Sequence, residues 1–152
     1  MSDAHRDFVP ALGKSGSLDR YDAAIALMTR EKRWRSDLLR FAEPRPGERI
    51  VDIGCGTGTF AIALKQAAPE SIVLAVDPDP AVLEIARAKA EVADAEIRWF
   101  EAMGDELDGI DALRQCDKIV SSLVFHQCPM DVKKAIAAQM FRLLRPGGTL
   151  FI

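Results

Sequence analysis

The chain has 152 residues, 49% of them hydrophobic and 28% charged, which suits one soluble domain with a core of its own. Its net charge of -3 lacks the basic excess that binding to a phosphate backbone demands, so nucleic acid is not an expected partner. Three scattered cysteines, Cys55, Cys116 and Cys128, form no Cys-x-x-Cys pair; this excludes a disulfide framework and argues against zinc, and no metal is expected.

Residues 1–18 mix glycine, serine and charge without a period and are expected to form a loose arm unlike a secretory signal. Residues 19–152 are expected to be the folded domain, with N-terminal helices over 21–43 and an α/β core over 49–152. From Tyr21 to Ala42, the residues Ile25, Met28, Leu38, Leu39 and Phe41 recur at roughly helical spacing, and Pro44 ends the segment. Its basic run, Arg30 to Arg35, reads as a solvated helix face. Arg49 to Ile53 reads as a short buried strand, and Thr59 to Ala68 as a helix stopped by Pro69.

The alternation then repeats. Ser71 to Val76 is a strand closed by Asp77, and Asp79 caps a helix that starts at Pro80 and runs to about Val92. Glu96 to Phe100 is a third strand, followed by an acidic segment, Gly104 to Gln115, with weak helical character. Lys118 to Val124 reads as a fourth strand, and Asp131 as the cap of a helix to Leu144. Pro146-Gly147-Gly148 breaks that helix and leads into a fifth strand, Thr149 to Ile152. The longest uncharged apolar stretch, Ile119 to Met130, is too short to span a bilayer, and a cytoplasmic location is expected. Strands alternating with helices imply a Rossmann-like open parallel sheet covered on both faces, with ligands beyond the carboxyl ends of its strands.

The stretch VDIGCGTG, residues 51–58, follows the first strand and opens the first helix of that pattern. Its spacing, Gly54-x-Gly56-x-Gly58, fits poorly the G-x-G-x-x-G of a dinucleotide site, and no Gly-Lys-Ser/Thr follows as in a P-loop. Asp52 and Asp77 each end a strand, the first suited to a cationic amine and the second to two ribose hydroxyls. Acids at both places suit a positively charged nucleoside without phosphate, although Asp77 also reads as part of an Asp-Pro turn.

VDIGCGTG, AVDPDP, CDKIVSSLVFHQCP and LRPGG, in this order and at these separations, resemble the class I S-adenosylmethionine-dependent methyltransferases. YDAAIALMTREKRWR resembles the N-terminal helical segment of the subgroup related to the ubiquinone/menaquinone-biosynthesis methyltransferases. The resemblance implies S-adenosylmethionine as cofactor, S-adenosylhomocysteine as product and a small-molecule acceptor. It implies that Gly54, Gly56 and Gly58, with Cys55 and Thr57 between them, meet the methionine part near Asp52. Asp77 would hold the ribose, Pro78, Ala102, Met103 and Gly104 would flank the adenine, and Ser121, Ser122 and Leu123 would line the floor. Tyr21 and Arg30 would close over the cofactor, with Arg30 as a partner for its carboxylate. Met103 stands where many relatives carry an aspartate for the adenine amine.

Methyl transfer from a sulfonium needs positioning more than acid–base chemistry, and His126 is the one candidate base, with packing at a strand end as its other reading. The resemblance implies two further strands beyond the fifth, so a sheet of order 3-2-1-4-5 lacking them is expected, with an exposed fifth-strand edge open to a homodimer. A cofactor-binding but inactive domain that works through such pairing is the alternative function.

Overall fold

The structure, a computed structural model, describes residues 31–122, 124–125 and 128–152. The expected arm and the helical residues before Glu31 lie outside this range. Helix α1 spans Glu31–Ala42, and strand β1, Arg49–Ile53, follows a turn at Pro46-Gly47. Then come α2 (Thr59–Ala67), β2 (Ile72–Asp77), α3 (Pro80–Val92) and β3 (Ile97–Glu101). A single 3-10 turn, Asp111–Leu113, precedes β4 (Cys116–Val120), α4 (Met130–Leu143) and β5 (Leu144–Phe151). The five strands form one sheet in the order β3-β2-β1-β4-β5, every adjacent pair parallel. The expected fold class and strand order are therefore the observed ones.

Side-chain alternation along the strands divides the core in two. Ile50, Val73, Ala75, Ile97 and Val120 face α1, α2 and α3, where Ala42, Phe60, Leu64 and Ala90 complete one cluster. Val51, Ile53, Leu74, Val76 and Ile119 face the other way, onto Leu107, Leu113 and the α4 residues Ile136, Met140 and Leu143. Strands buried on both faces explain the continuous apolar runs of β1 and β2. No helix among the described residues is long and apolar enough to cross a membrane.

Three local expectations need correction. β4 ends at Val120 rather than Val124, since Ser121 already spends its backbone N–H on Phe151 O (3.0 Å) and its hydroxyl on Ile53 O (2.9 Å). Asp131 does not cap α4; Pro129 holds that place without a side-chain bond, and Asp131 lies in the first turn. β5 starts at Leu144, before Pro146-Gly147-Gly148, because the chain bulges between the pairs Cys116↔Leu144 and Lys118↔Thr149. Pro146 is tolerated because β5 is an outer strand of the sheet and a bulge leaves ladder positions unpaired.

Candidate functional site

The carboxyl ends of β1, β2 and β4 meet where ligand sites form in open α/β sheets, at the reversal of strand order. The glycine loop is fastened there from β2: Val76 O accepts from Gly54 N (2.8 Å) and Cys55 N (3.0 Å), and Asp77 Oδ2 accepts from Gly56 N (2.9 Å). Asp77 Oδ1 accepts from Asp79 N (3.0 Å), so one carboxylate holds both the loop and the start of α3. All three glycines have positive φ, but their surroundings differ. A Cβ on Gly58 would lie 2.6 Å from Trp99 Cη2 and 2.9 Å from Ala86 Cβ, and one on Gly54 would collide with Val124. Gly56, at φ +54°, faces open space.

Asp52 is the unusual residue. It is 1% exposed, on the α1–α3 face of β1, and neither carboxylate oxygen has a hydrogen-bond partner among the described residues. Burial pushes its pKa up to about 7; the Arg35 guanidinium pulls the other way and Asp77 adds to the rise. A buried acid without partners is costly to keep, and such sites cluster where a ligand supplies what is missing. Burial likewise raises Asp77, against the lowering by its bonds from Asp79 and Gly56. Burial, then Asp52 and Asp77, holds the Cys55 thiol well above its usual range, which argues against a thiolate role.

Arg35 is the residue that the sequence reading missed. Of the basic run, Arg33 is exposed, whereas Arg35 is half-buried with its Nε shielded from solvent and its guanidinium 5.2 Å from the Trp34 ring centroid. The signal was available: Arg35, Leu38, Leu39 and Ala42 recur at the spacing of one helix face. Thr57 is buried, and its hydroxyl accepts from Lys89 Nζ (3.1 Å), which also donates to Thr59 Oγ1 (2.6 Å).

Among the other expected site residues, Pro78 and Ser122 are half-buried beside the same strand ends. Ala102 N donates to Asp77 O (3.3 Å), bringing the loop after β3 alongside β2. Met103 is half-buried, and Gly104 packs against Ile53 and Ile136 across that loop. Tyr21, Arg30, Leu123 and His126 lie outside the described residues. A groove lined by Ile62, Ala63, Val92 and Ala93 runs between α2 and α3, on the helical face rather than at the strand ends.

A family described as a methyltransferase domain matches residues 50–148, which takes in β2, β3, β4, most of β1 and β5, and the glycine loop. The chain belongs to this methyltransferase family. The chain is 34% identical over 135 residues to the demethylmenaquinone methyltransferase of Thermus thermophilus, covering 88% of this chain and 60% of that relative. It thus spans somewhat more than half of the relative's length. Among solved structures it is similar to the YcgJ protein from Bacillus subtilis, with 26% identity, a TM-score of 0.67 and coverage of 78% and 49% of the two chains. It shares its fold with magnesium protoporphyrin IX methyltransferase from Synechocystis, solved with bound S-adenosylmethionine, at 18% identity and a TM-score of 0.65 over 88% and 62% of the chains.

Proposed function

We propose that this methyltransferase binds S-adenosylmethionine across the carboxyl ends of β1, β2 and β4 and directs methyl transfer to a small-molecule acceptor. The observation that carries the reading is Asp52, a buried carboxylate with both oxygens unpartnered beside a glycine loop. An ammonium is the group that such a carboxylate lacks, and the amino-acid end of this cofactor provides one.

The surrounding residues fit the remaining parts. Gly56 has no side chain to keep a ligand away from the loop backbone, and a Cβ there would meet nothing of the protein within 4 Å. Each Asp77 oxygen accepts one backbone N–H, which leaves lone pairs for two ribose hydroxyls. Ala102, Met103 and Pro78 supply apolar walls for an adenine, and the adenine amine is left to backbone acceptors. Bound S-adenosylmethionine supplies a methyl group on a sulfonium whose leaving thioether is neutral. The protein's contribution is then to orient the acceptor and exclude water, with His126 as base where the acceptor loses a proton early. A small acceptor is supported by the demethylmenaquinone methyltransferase relative.

Calorimetric titration of the chain with S-adenosylhomocysteine, beside Asp77→Ala, tests the reading. Saturable binding that Asp77→Ala weakens at least about tenfold is expected, the loss of two charge-assisted hydrogen bonds. A folded wild type that binds none would overturn it.

A further inference from the structure

The glycine loop is held from two sides. From β2, Val76 O and Asp77 Oδ2 hold its first half, Gly54 to Gly56. From α3 comes Lys89, whose ammonium donates to the Thr57 hydroxyl (3.1 Å) and to the Thr59 hydroxyl (2.6 Å). Thr57 is buried, and Gly58 between the two threonines faces Trp99 of β3 and Ala86, which lies one turn before Lys89 on α3. Gly58, at φ +75°, is the pivot where the chain leaves the loop and enters α2. One lysine therefore spans that pivot, with a hydroxyl on either side of it.

Helix stability does not account for this lysine. α2 starts without a side-chain cap and without an acid in its first turn. The N-terminal end of a helix is its positive end, where an ammonium is the disfavoured sign. A lysine stem can also carry its charge outward into water, whereas this one bonds two hydroxyls of another segment.

We propose that Lys89 is a positioning residue of the cofactor site, fixing the second half of the glycine loop in its binding shape before the ligand arrives. The assignment rests on the cofactor reading above. A loop with three glycines at positive φ has much conformational freedom to lose, and whatever is lost beforehand is not charged against binding. Asp77 does not reach the pivot, since its bond to the loop is made at Gly56, two residues short of it. Lys89 acts through Thr57 and Thr59, not by touching the ligand.

The test is calorimetric titration of wild type, Lys89→Met and Lys89→Arg with S-adenosylhomocysteine, together with amide hydrogen exchange of the loop in free and bound chains. Methionine keeps the apolar stem and drops the donors, and arginine keeps both. Lys89→Met is expected to bind about tenfold more weakly, and Lys89→Arg should recover part of the loss. In free Lys89→Met the Gly56 and Gly58 amides should exchange about tenfold faster than in wild type, and saturating ligand should remove the difference. Unchanged affinity in Lys89→Met overturns the proposal and leaves the cofactor reading intact. Weakened affinity with unchanged loop exchange also overturns it, by making Lys89 a direct ligand contact. Circular dichroism checks the fold. If Lys89→Met is unfolded, Thr57→Ser and Thr57→Val decide: serine keeps the acceptor and should bind as wild type, and equal affinities of the two count against the proposal. No binding by folded wild type removes both readings.

Discussion

Between the ordinary aspartate pKa of 3.8 and about 7, Asp52 keeps its proton in the folded chain and loses it in the unfolded one. The folded state binds the extra proton, so stability falls as pH rises through that window and levels off above it. A shift of this size corresponds to about 4 kcal/mol. Denaturant unfolding from pH 4 to 8 should show the decline, and Asp52→Asn should flatten it and be the more stable protein at pH 8. Binding has the opposite sign, because the ammonium favours the ionised carboxylate. With Arg35 and Asp77 the charged groups facing Asp52, affinity for S-adenosylhomocysteine should weaken about tenfold per pH unit below pH 7 and reach a plateau above it. The glycines give a second contrast. Gly58→Ala would press on Trp99 and Ala86 at positive φ, and a loss of about 2–4 kcal/mol is expected in denaturant unfolding. Gly56→Ala meets no neighbour, so it should lose about 1–2 kcal/mol for its φ alone, and calorimetry should find its larger effect on ligand affinity. The sequence identified the loop and both acids, because glycine spacing and strand-end acids are local signals. It did not distinguish these glycines, whose neighbours come from β3, α3 and the segment after β4.

At the scale of elements, α3 was the most legible. Asp79 accepts from Ala81 N (2.9 Å) and Val82 N (3.4 Å), and Pro80 occupies the first position, where its missing N–H costs least. Asp79→Ala should lower stability by about 1 kcal/mol, a melting-point drop of about 2–4 °C by differential scanning calorimetry. The ends of β4 and β5 were less legible, for a physical reason. Apolar character continues past Val120, but the ladder to β1 stops there, and sequence records the character rather than the pairing. At β5, Pro-Gly-Gly reads as a break in any single-strand pattern. Only the partner strand reveals that pairing begins before it, with Asp117 opposite the bulge and bonded to Arg145 Nε at 2.5 Å. Arg35 belongs to the same class of difficulty. A run of four basic residues from Arg30 to Arg35 masks Arg35, which shares a helix face with Leu38, Leu39 and Ala42.

For the whole molecule, the order β3-β2-β1-β4-β5 follows from alternating elements and right-handed crossovers, which is why topology was readable where strand ends were not. A ligand that binds only the folded chain should stabilise all of it. S-adenosylhomocysteine at a hundred times its dissociation constant should add about 2.7 kcal/mol, raising the melting temperature by about 5–11 °C for a domain of this size. A nicotinamide dinucleotide under the same conditions should leave the melting temperature unchanged, since the glycine spacing is not that of a dinucleotide site. The chain's two tryptophans add a consequence of their own: Trp99 lies against Gly58, and Trp34 lies against Arg35. Trp99 and α1, which carries Trp34, pack on the same core cluster, so the molecule carries its own optical reporters. Emission near Gly58 should respond to ordering of the loop, and emission near Arg35 to the position of its guanidinium. Trp34→Phe and Trp99→Phe would separate the two signals without a label.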